Sequence, residues 1–252
     1  MTEAAWLQPD IVEGYSAGEA DTVTLTADAS ALLHGIYSTT LSVSGPHASD
    51  NPRTIKLTLY AYKTLRVPSE YGTIQAAIDA TVPGDEVIVG DAVYTGVGNK
   101  DLDFRGKPIT VRSASGHPTA CIIDCQGSGR GFYFHSGETP GAVAAGFTIR
   151  NGTGSAVYCV SSSPTLTNCT ITGGSASYGA GVNCYSSSPQ LTNCLISGNR
   201  ASNGLGGGVY CSNWSSPTLT NCTISGNTIT DNGGGGLALA IAGRRAAIDP
   251  PA

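Results

Sequence analysis

A group of side chains that could carry acid–base chemistry lies in residues 101–150. Glycoside hydrolysis needs two carboxyl groups held about 5 to 9.5 Å apart, so this stretch could serve a glycosidase or a polysaccharide lyase only if folding brings two of its acids together. No motif specific for either reaction is present, and ordinary solvated turns explain the same residues. The group consists of Asp101, Asp103, Arg105, Asp124, Arg130, His135, Glu138 and Arg150.

The rest of the chain is poor in charge, which excludes several classes of function. Residues 151–230 contain no Asp or Glu, and Arg200 is their only charged residue. The whole chain has 13 Lys and Arg against 18 Asp and Glu, a net charge of −5, so it lacks the positive charge that nucleic-acid binding needs. No apolar run approaches the roughly 20 residues of a membrane span. We therefore expect neither a nucleic-acid partner nor a membrane span, and no motif indicates a cofactor.

Six of the eight cysteines recur at a nearly fixed spacing, in two series. Because no CxxC motif or Cys–His cluster occurs, a metal site is not indicated. We expect the six to be small buried apolar side chains with free thiols, stacked in two columns. Disulfide bridging between neighbours in a column is the alternative. The first series is Cys159, Cys184 and Cys211, and the second is Cys169, Cys194 and Cys222.

The cysteines belong to a repeat of about 25 residues, which decides the architecture. The copies AVYCVSSSPTLTNCTITG, GVNCYSSSPQLTNCLISG and GVYCSNWSSPTLTNCTISG begin at residues 156, 181 and 208. Within each copy, apolar and polar residues alternate over three short segments, which predicts three short strands. One copy is too small to bury a core, so successive copies must stack as the turns of a solenoid with parallel strands.

An asparagine precedes the second cysteine of each copy, at Asn168, Asn193 and Asn221. Asparagine accepts a left-handed backbone better than other non-glycine residues, so this position predicts a tight corner. Stacked one per turn, the amides could also hydrogen-bond to one another. We therefore expect an interior asparagine ladder beside the cysteine columns.

The aligned copies place Tyr133, Tyr158, Asn183 and Tyr210 at equivalent positions of the first strand. If the neighbouring Cys159 points inward, Tyr158 points outward, because side chains alternate along a strand. Tyrosine rings about 5 to 10 Å apart along a flat sheet could stack on successive sugar rings, with Asn183 supplying hydrogen bonds. These four residues are the candidate carbohydrate-binding residues, although tyrosine also favours exposed strand positions without any ligand.

From about Leu65 onward, the chain resembles right-handed parallel β-helices of the pectin-lyase-like superfamily, in the bacterial surface branch whose turns read SPxLxNCTISGN. The segment VPSEYGTIQAAIDATVPGDEVIVGDAVYTG, residues 67–96, is similar to the capping helix and first strands of such proteins. In that segment Thr73 suits a helix N-cap, and Ile74, Ala77, Ile78 and Val82 form one apolar face. The turn residues Pro83, Gly84 and Asp85 should end the helix. The resemblance implies a β-helix of about five or six turns and brings no catalytic motif with it.

Residues 1–63 have a different pattern, with strands predicted near residues 23–27, 37–44 and 53–60. They resemble the later part of a BACON-type immunoglobulin-like domain, and since a complete sandwich has about 100 residues and seven strands, we expect a fragment. We predict three regions: a partial immunoglobulin-like domain in residues 1–63, the β-helix in residues 64–240, and an unstructured tail in residues 241–252. The last turn would then be uncapped and open to end-to-end association.

The predicted fold class is all-β, a right-handed parallel β-helix solenoid with a short N-terminal capping helix, preceded by a partial antiparallel β-sandwich. The leading functional hypothesis is a non-catalytic cell-surface or secreted module that binds a polysaccharide, a cell-surface glycan or another surface partner weakly along an outer sheet. One alternative is a polysaccharide lyase or glycoside hydrolase with its site in the early turns or in turns outside this sequence. The other is a purely structural or adhesive rod.

Overall fold

The computed structural model describes residues 5–10, 13, 22–32, 35–45, 52–230, 235, 237–241 and 244–248. The chain divides into two compact units, Met1–Lys63 and Thr64–Ala252. The first unit contains two antiparallel strand pairs. Strand β1 (Leu7–Pro9) pairs with β2 (Leu25–Ala27), and β3 (Gly35–Val43) pairs with β4 (Arg53–Ala61). These pairs fit a partial antiparallel sheet, while the immunoglobulin-like assignment stays a prediction.

The second unit begins with one short helix set among the first strands of a solenoid. The helix has the N-cap that the sequence predicts, since Thr73 Oγ1 accepts a hydrogen bond from Ala76 N at 3.3 Å. Its buried residues are Ile74, Ala77 and Ile78. The expectation that Val82 extends this face is wrong, because the helix ends at Asp79 and the chain continues in turns. No helix in the described residues is long and apolar enough to cross a membrane. The opening elements are β5 (Thr64–Val67), α1 (Ile74–Asp79), β6 (Glu86–Val89), β7 (Val93–Tyr94), β8 (Thr110–Ser113) and β9 (Ile122–Asp124).

The repeats that follow form short strands joined by tight corners. They are β10 (Phe132–Phe134), β11 (Val143–Ala145), β12 (Thr148–Arg150), β13 (Val157–Val160), β14 (Thr165–Thr167), β15 (Thr170–Thr172), β16 (Ser175–Tyr178), β17 (Val182–Tyr185), β18 (Gln190–Thr192), β19 (Leu195–Ser197), β20 (Arg200–Leu205), β21 (Val209–Ser212), β22 (Thr218–Thr220), β23 (Thr223–Ser225), β24 (Thr228–Ile229), β25 (Leu237–Ile241) and β26 (Arg244–Ile248).

Three long sheets run along the solenoid. The first sheet has the order β10-β13-β17-β21-β25-β26, the second β5-β6-β8-β11-β14-β18-β22, and the third β7-β9-β12-β15-β19-β23. A smaller sheet at one corner contains β16, β20 and β24. The seven strands of the second sheet correspond to about seven turns, rather than the five or six expected from the sequence. The difference arises because the early turns pair in parallel without carrying the repeat motif.

The core lies inside the turns and is made by alternate residues of each strand. In the first clean repeat Val157, Cys159, Leu166 and Ile171 are buried, as the alternation predicts. The early turns hold larger side chains, because four buried phenylalanines pack together there. The Phe132 and Phe134 rings are stacked with their centroids 5.7 Å apart, and Phe104 meets Phe134 edge-on at 5.1 Å; Phe147 contacts Phe132.

The expected interior asparagine ladder is wrong. Asn168, Asn193 and Asn221 do occupy equivalent corners with the left-handed φ angles of 51°, 55° and 52°, but their side chains are exposed. The left-handed residue breaks the in–out alternation, so Thr167 and Asn168 both face outward before Cys169 turns inward. Asn168 Nδ2 donates to Gly116 O at 2.6 Å, and no described hydrogen bond joins one of these three amides to the next.

The interior asparagines are instead Asn199 and Asn227, which follow the third-sheet strands of two successive turns. The buried Asn199 accepts from Gly174 N at 2.8 Å through Oδ1 and donates to Ile171 O at 3.0 Å through Nδ2. Asn227 Oδ1 accepts from Asn199 N at 3.0 Å and from Asn199 Nδ2 at 2.9 Å. These amides therefore satisfy backbone groups in neighbouring turns that would otherwise be buried without partners.

A serine column provides the same kind of link at another corner. Ser162 N donates to Ser187 Oγ at 3.1 Å, and Ser187 N donates to Ser215 Oγ at 2.9 Å. All three side chains are buried. Each turn is thus tied to the next by a side-chain hydrogen bond as well as by the strand ladder.

Residues 244–248, assigned to an unstructured tail from the sequence, form β26. This strand runs antiparallel to β25 over five residue pairs, from Leu237 with Ile248 to Ile241 with Arg244. The physical reason is that β25 ends the run of parallel strands in the first sheet, so its backbone N–H and C=O groups on that side are available for pairing.

The two kinds of asparagine should differ in their effect on stability. We expect Asn199→Ala to lower the free energy of unfolding by about 1 to 3 kcal/mol, because it leaves buried backbone groups unpaired. The control Asn193→Gly should change it by less than about 0.5 kcal/mol, since glycine adopts the left-handed corner readily. Urea unfolding followed by circular dichroism measures both. Equal losses in the two variants would contradict the assignment of Asn199 as the interior residue.

Candidate functional site

The predicted carbohydrate-binding residues lie side by side on the outer face of the first sheet. Register pairs Tyr133 with Tyr158, Tyr158 with Asn183, and Asn183 with Tyr210. All four side chains are half-buried, and they alternate with buried residues such as Cys159. The structure thus brings these residues into one file along the solenoid.

The upstream part of this file is covered by other protein groups. The rings of Tyr133 and Tyr158 are stacked, with centroids 5.6 Å apart and planes inclined by 11°. The His135 ring stacks on Tyr133 at 4.0 Å. The Arg130 guanidinium lies 4.7 Å from the Tyr133 centroid and 5.3 Å from that of Tyr158. A sugar that stacks on an aromatic ring needs a free ring face, so these two tyrosines are poorly placed for it.

The downstream part has a second ring pair, Tyr178 with Tyr210, whose centroids are 5.2 Å apart. Tyr178 is the last residue of β16. The chain then passes over Asn183, which brings Tyr178 to this face, and Asn183 Nδ2 donates to Tyr178 O at 3.3 Å. The next residue, Gly179, has φ of 55°, and a Cβ there would come within 2.9 Å of the Cβ atoms of Asn183 and Tyr210. Only glycine allows this close passage.

Two further aromatic side chains beside the file are more open. Tyr185, in β17, is 46% exposed, and Trp214 is 78% exposed. They belong to successive turns, since Tyr185 pairs with Ser212, two residues before Trp214. Asn213 Nδ2 also donates to Ser186 Oγ and so joins the two turns at this edge. We call Tyr178, Asn183, Tyr185, Tyr210 and Trp214 the downstream aromatic surface.

Sequence reasoning missed Tyr178, Tyr185 and Trp214 because none of them recurs. Tyr185 shares its column with Val160 and Ser212, so no aromatic file marks it. Trp214 lies in SNWSS, where the other two copies have one residue fewer between their cysteines. That departure from the period is the signal that could have found it.

The acidic residues of the early turns are engaged in structural contacts. Asp101 Oδ1 accepts from Arg130 N at 2.9 Å. Asp103 Oδ1 accepts from Arg105 N at 2.8 Å. Asp124 Oδ2 lies 2.9 Å from Arg150 Nε, which fixes these two side chains on neighbouring third-sheet strands. These contacts bind the carboxylates to the turns that carry them.

Glu138 is a buried carboxylate in the same region, 2% exposed. Its oxygens accept from Gly106 N and from Ser136 N, each at 2.9 Å. Burial by itself would raise the pKa of Glu138, but these two hydrogen bonds and those from the Ser162 side chain and the Glu138 backbone together hold the pKa below the ordinary value. A general acid needs a raised pKa, so Glu138 fits the role of a loop anchor rather than that of a proton donor.

The structure places the repeated cysteines in two interior columns. Cys159 pairs with Cys184, and Cys184 with Cys211. The other column is Cys169, Cys194 and Cys222. All eight cysteines are free thiols, and every one except the half-buried Cys222 is buried. No three Cys, His, Asp or Glu side chains gather into a metal-binding group within the part of the chain that the structure describes.

Burial helps to keep three of the thiols protonated. It raises the pKa of Cys121 and of Cys125 to about 12. The pKa of Cys184 is raised well above the ordinary value by its hydrogen bond with Cys211 and by burial. A thiol is a weak nucleophile, so these three cysteines act as packing groups.

The comparison with known families decides how the chain is classified. A family model described as "Right handed beta helix region" matches residues 103–248. The chain belongs to this right-handed β-helix family. No curated protein and no solved structure matches the chain. The match confirms the right-handed parallel β-helix predicted from the repeats, and it covers the downstream aromatic surface.

The free-thiol assignment can be tested with a thiol-specific chromophoric reagent. We expect the unfolded, unreduced protein to show all eight thiols, because no disulfide holds any of them. In the folded protein Cys222 should react first, since the others are buried. Far fewer than eight thiols in the unfolded chain would show that bridges form within the columns.

Stability should also fall in alkali. Cys121 and Cys125 have a pKa of about 12 when folded and 9.0 as the ordinary value, so between about pH 9 and pH 12 the unfolded chain binds fewer protons than the folded one. The free energy of unfolding should then fall as pH rises, by up to about 1.4 kcal/mol per pH unit for each thiol. Below about pH 8 both thiols are protonated in the folded and in the unfolded chain, so neither makes the free energy of unfolding depend on pH.

Urea unfolding of the parent and of Cys121→Ala/Cys125→Ala across this range tests the effect. The double variant should be less stable at neutral pH and should lose stability less steeply in alkali. If the free energy of unfolding falls equally steeply with pH in the parent and in the double variant, these two thiols are not the cause of the loss of stability in alkali.

Proposed function

We propose that this β-helix is a non-catalytic module that binds a neutral polysaccharide through its downstream aromatic surface. The observation that carries the proposal is the set of open rings on successive turns, with Tyr185 at 46% and Trp214 at 78% exposure. The centre of the surface therefore differs from the file expected from the sequence, because the rings of Tyr133 and Tyr158 already contact His135 and Arg130.

Aromatic rings suit this ligand for a physical reason. A sugar ring has an apolar face of C–H groups, and Tyr and Trp offer a large, rigid, amphipathic surface to such a face. Neighbouring turns lie about 4.8 Å apart, so residues on two or three turns can contact one chain that runs along the solenoid. Asn183 and the tyrosine hydroxyls supply hydrogen-bonding groups beside the rings.

The charge of this region favours a neutral ligand. Arg200 is the only charged residue in residues 151–230. Binding a polyuronate or a sulfated glycan would call for several Arg or Lys side chains that pair with its anionic groups. The proposed ligand is therefore an uncharged polysaccharide, met at the cell surface or outside the cell.

The acids of the early turns support the non-catalytic part of the proposal. Asp101, Asp103 and Asp124 are held by backbone or arginine contacts, and the pKa of Glu138 is lowered. A glycosidase needs one carboxyl group that keeps its proton until it reaches the leaving group. All four carboxyl groups are engaged in such contacts. Burial would raise the pKa of Asp124 and of Glu138, but hydrogen bonds hold both below their ordinary values.

Affinity electrophoresis through gels that contain a soluble neutral polysaccharide tests the proposal. We expect a panel of β-glucans, xylans and mannans to include at least one that retards the parent protein. The double variant Tyr185→Ala/Trp214→Ala should raise the dissociation constant at least about tenfold. Its control is Tyr62→Ala, which removes an exposed tyrosine in the first unit whose exposure of 59% lies between those of Tyr185 and Trp214. A polyuronate gel should retard neither the parent nor the double variant.

Two outcomes would overturn the proposal. Equal mobility of parent and double variant in every neutral gel would leave a structural rod as the better description. Release of reducing sugars or of unsaturated uronates from any of these substrates by the purified chain would instead show catalysis.

A further inference from the structure

The corner that follows the first-sheet strand contains one extra residue in the third clean copy of the repeat. Between the first cysteine and the proline this copy has five residues, SNWSS, whereas the two preceding copies have four, VSSS and YSSS. Strand pairing before the corner aligns Tyr185 with Ser212, and pairing after it aligns Gln190 with Thr218. The extra residue is therefore accommodated within this one corner.

The extra residue is Trp214. At the equivalent corner each preceding copy has a single left-handed serine with φ of 50°. Asn213 takes the place of that serine with φ of 53°, and Trp214 follows it with φ of 64°. Ser215 then resumes the buried serine column, because its Oγ accepts from Ser187 N at 2.9 Å. The insertion thus leaves the register of the core unchanged and adds one side chain to the surface.

Residues 212–215, which we call the tryptophan corner, form a reverse turn of unusual composition. Ser215 N donates to Ser212 O at 3.3 Å, and both residues between them have positive φ. Positive φ at both central positions is what a type I′ turn requires, and such turns favour Asn followed by Gly. Asn213 meets the first preference, but the bulky Trp214 occupies the position that favours glycine. The backbone conformation at Trp214 therefore lowers the stability of the fold.

The packing of Trp214 does not offset this cost. The residue is 78% exposed, so it removes little apolar area from water. Among the described residues no other aromatic ring or arginine stacks on Trp214, whereas Tyr178 stacks on Tyr210 and Tyr133 on Tyr158. A residue that strains the backbone and adds little to the core is best explained by a role in function.

The tryptophan corner is tied to the preceding turn of the solenoid. Ser186 N donates to Ser212 O at 3.3 Å, and Asn213 Nδ2 donates to Ser186 Oγ. Asparagine also accepts the left-handed conformation better than other non-glycine residues. Asn213 therefore fixes both the backbone of the corner and the point from which the Trp214 side chain projects.

We propose that the tryptophan corner is the principal sugar-binding element of the downstream aromatic surface, with Trp214 as the stacking ring and Asn213 as its positioning residue. These roles rest on the polysaccharide binding proposed above. A ring whose backbone is fixed before the ligand arrives loses less conformational entropy on binding, and its open face can pack against the C–H groups of a sugar. Tyr185, 46% exposed on the neighbouring turn, is the second and weaker contact.

Replacing Trp214 with glycine separates a binding residue from a structural one. Trp214→Gly places the favoured residue after Asn213, so we expect the urea concentration at the midpoint of unfolding to rise. The dissociation constant for a neutral polysaccharide that retards the parent should rise at least about tenfold. Affinity electrophoresis and urea unfolding followed by circular dichroism measure the two effects. A tryptophan that served only the packing of the fold would lower the midpoint when removed.

Asn213→Gly tests the positioning role. Glycine adopts the left-handed conformation readily but removes the hydrogen bond to Ser186, so the corner should fold and hold the ring less firmly. We expect the dissociation constant to rise about threefold to tenfold, the change that follows when one side chain must be immobilised on binding. The fluorescence anisotropy of Trp214 should decay faster, measured in a Trp6→Phe background because Trp6 is the other tryptophan of the chain.

Two further variants keep the test specific. Asn193→Gly makes the same substitution at an exposed left-handed corner between β18 and β19, and it should change neither the affinity nor the anisotropy. Ser186→Ala removes the acceptor of the Asn213 hydrogen bond and should weaken binding about as much as Asn213→Gly. Because the two substitutions remove the same interaction, the double variant should bind no more weakly than either single variant.

The outcomes distinguish the role of the tryptophan corner from the polysaccharide binding on which it rests. If no neutral polysaccharide retards the parent, both are overturned. If the parent is retarded and Trp214→Gly is retarded equally, or if Trp214→Gly lowers the unfolding midpoint, only the role of the corner is overturned. If Asn213→Gly matches Asn193→Gly in affinity and in anisotropy, Asn213 does not position the ring.

Discussion

In-register hydrogen bonding between successive turns is the constraint on which this molecule depends. A single turn has too few inward side chains to offset the conformational entropy lost when it becomes ordered, and both of its open ends would expose apolar groups and unpaired backbone groups. Stacking solves both problems at once, because each turn supplies the strand ladder and the apolar cover of the next. Stability is therefore a property of neighbouring pairs of turns.

Because of the same constraint, equivalent residues of successive turns lie next to one another in columns along the solenoid. An interior polar residue must find its partner in the adjacent turn, and the serine column and the pair Asn199 and Asn227 do so with good geometry. A cysteine column needs no such partner, since a thiol packs as a small apolar group. On the outside, the register spaces side chains evenly. One sheet can therefore present aromatic rings, and another can present threonine hydroxyl and methyl groups.

The repeat in the sequence was sufficient to predict the parallel β-helix, the inward cysteines and the outward tyrosines, because all three follow from period and alternation. It failed where a local backbone feature overrides alternation. Asn168 has the predicted left-handed conformation, yet that conformation turns its side chain outward. Asn199 and Asn227 both end the motif ISGN, but the preceding copy has Gly174 at the corresponding corner, so this column spans only two of the three copies and was overlooked. Tyr185 and Trp214 were missed because they break the repeat instead of obeying it.

The near absence of charge from residues 151–230 has a consequence for the environments in which these turns can work. Dissolved ions act on proteins chiefly by screening charged groups, over a Debye length of about 8 Å at physiological ionic strength. With Arg200 as the single charged side chain in this stretch, there is little for them to screen. The electrostatic part of the packing of these turns should therefore change little between fresh water and physiological ionic strength.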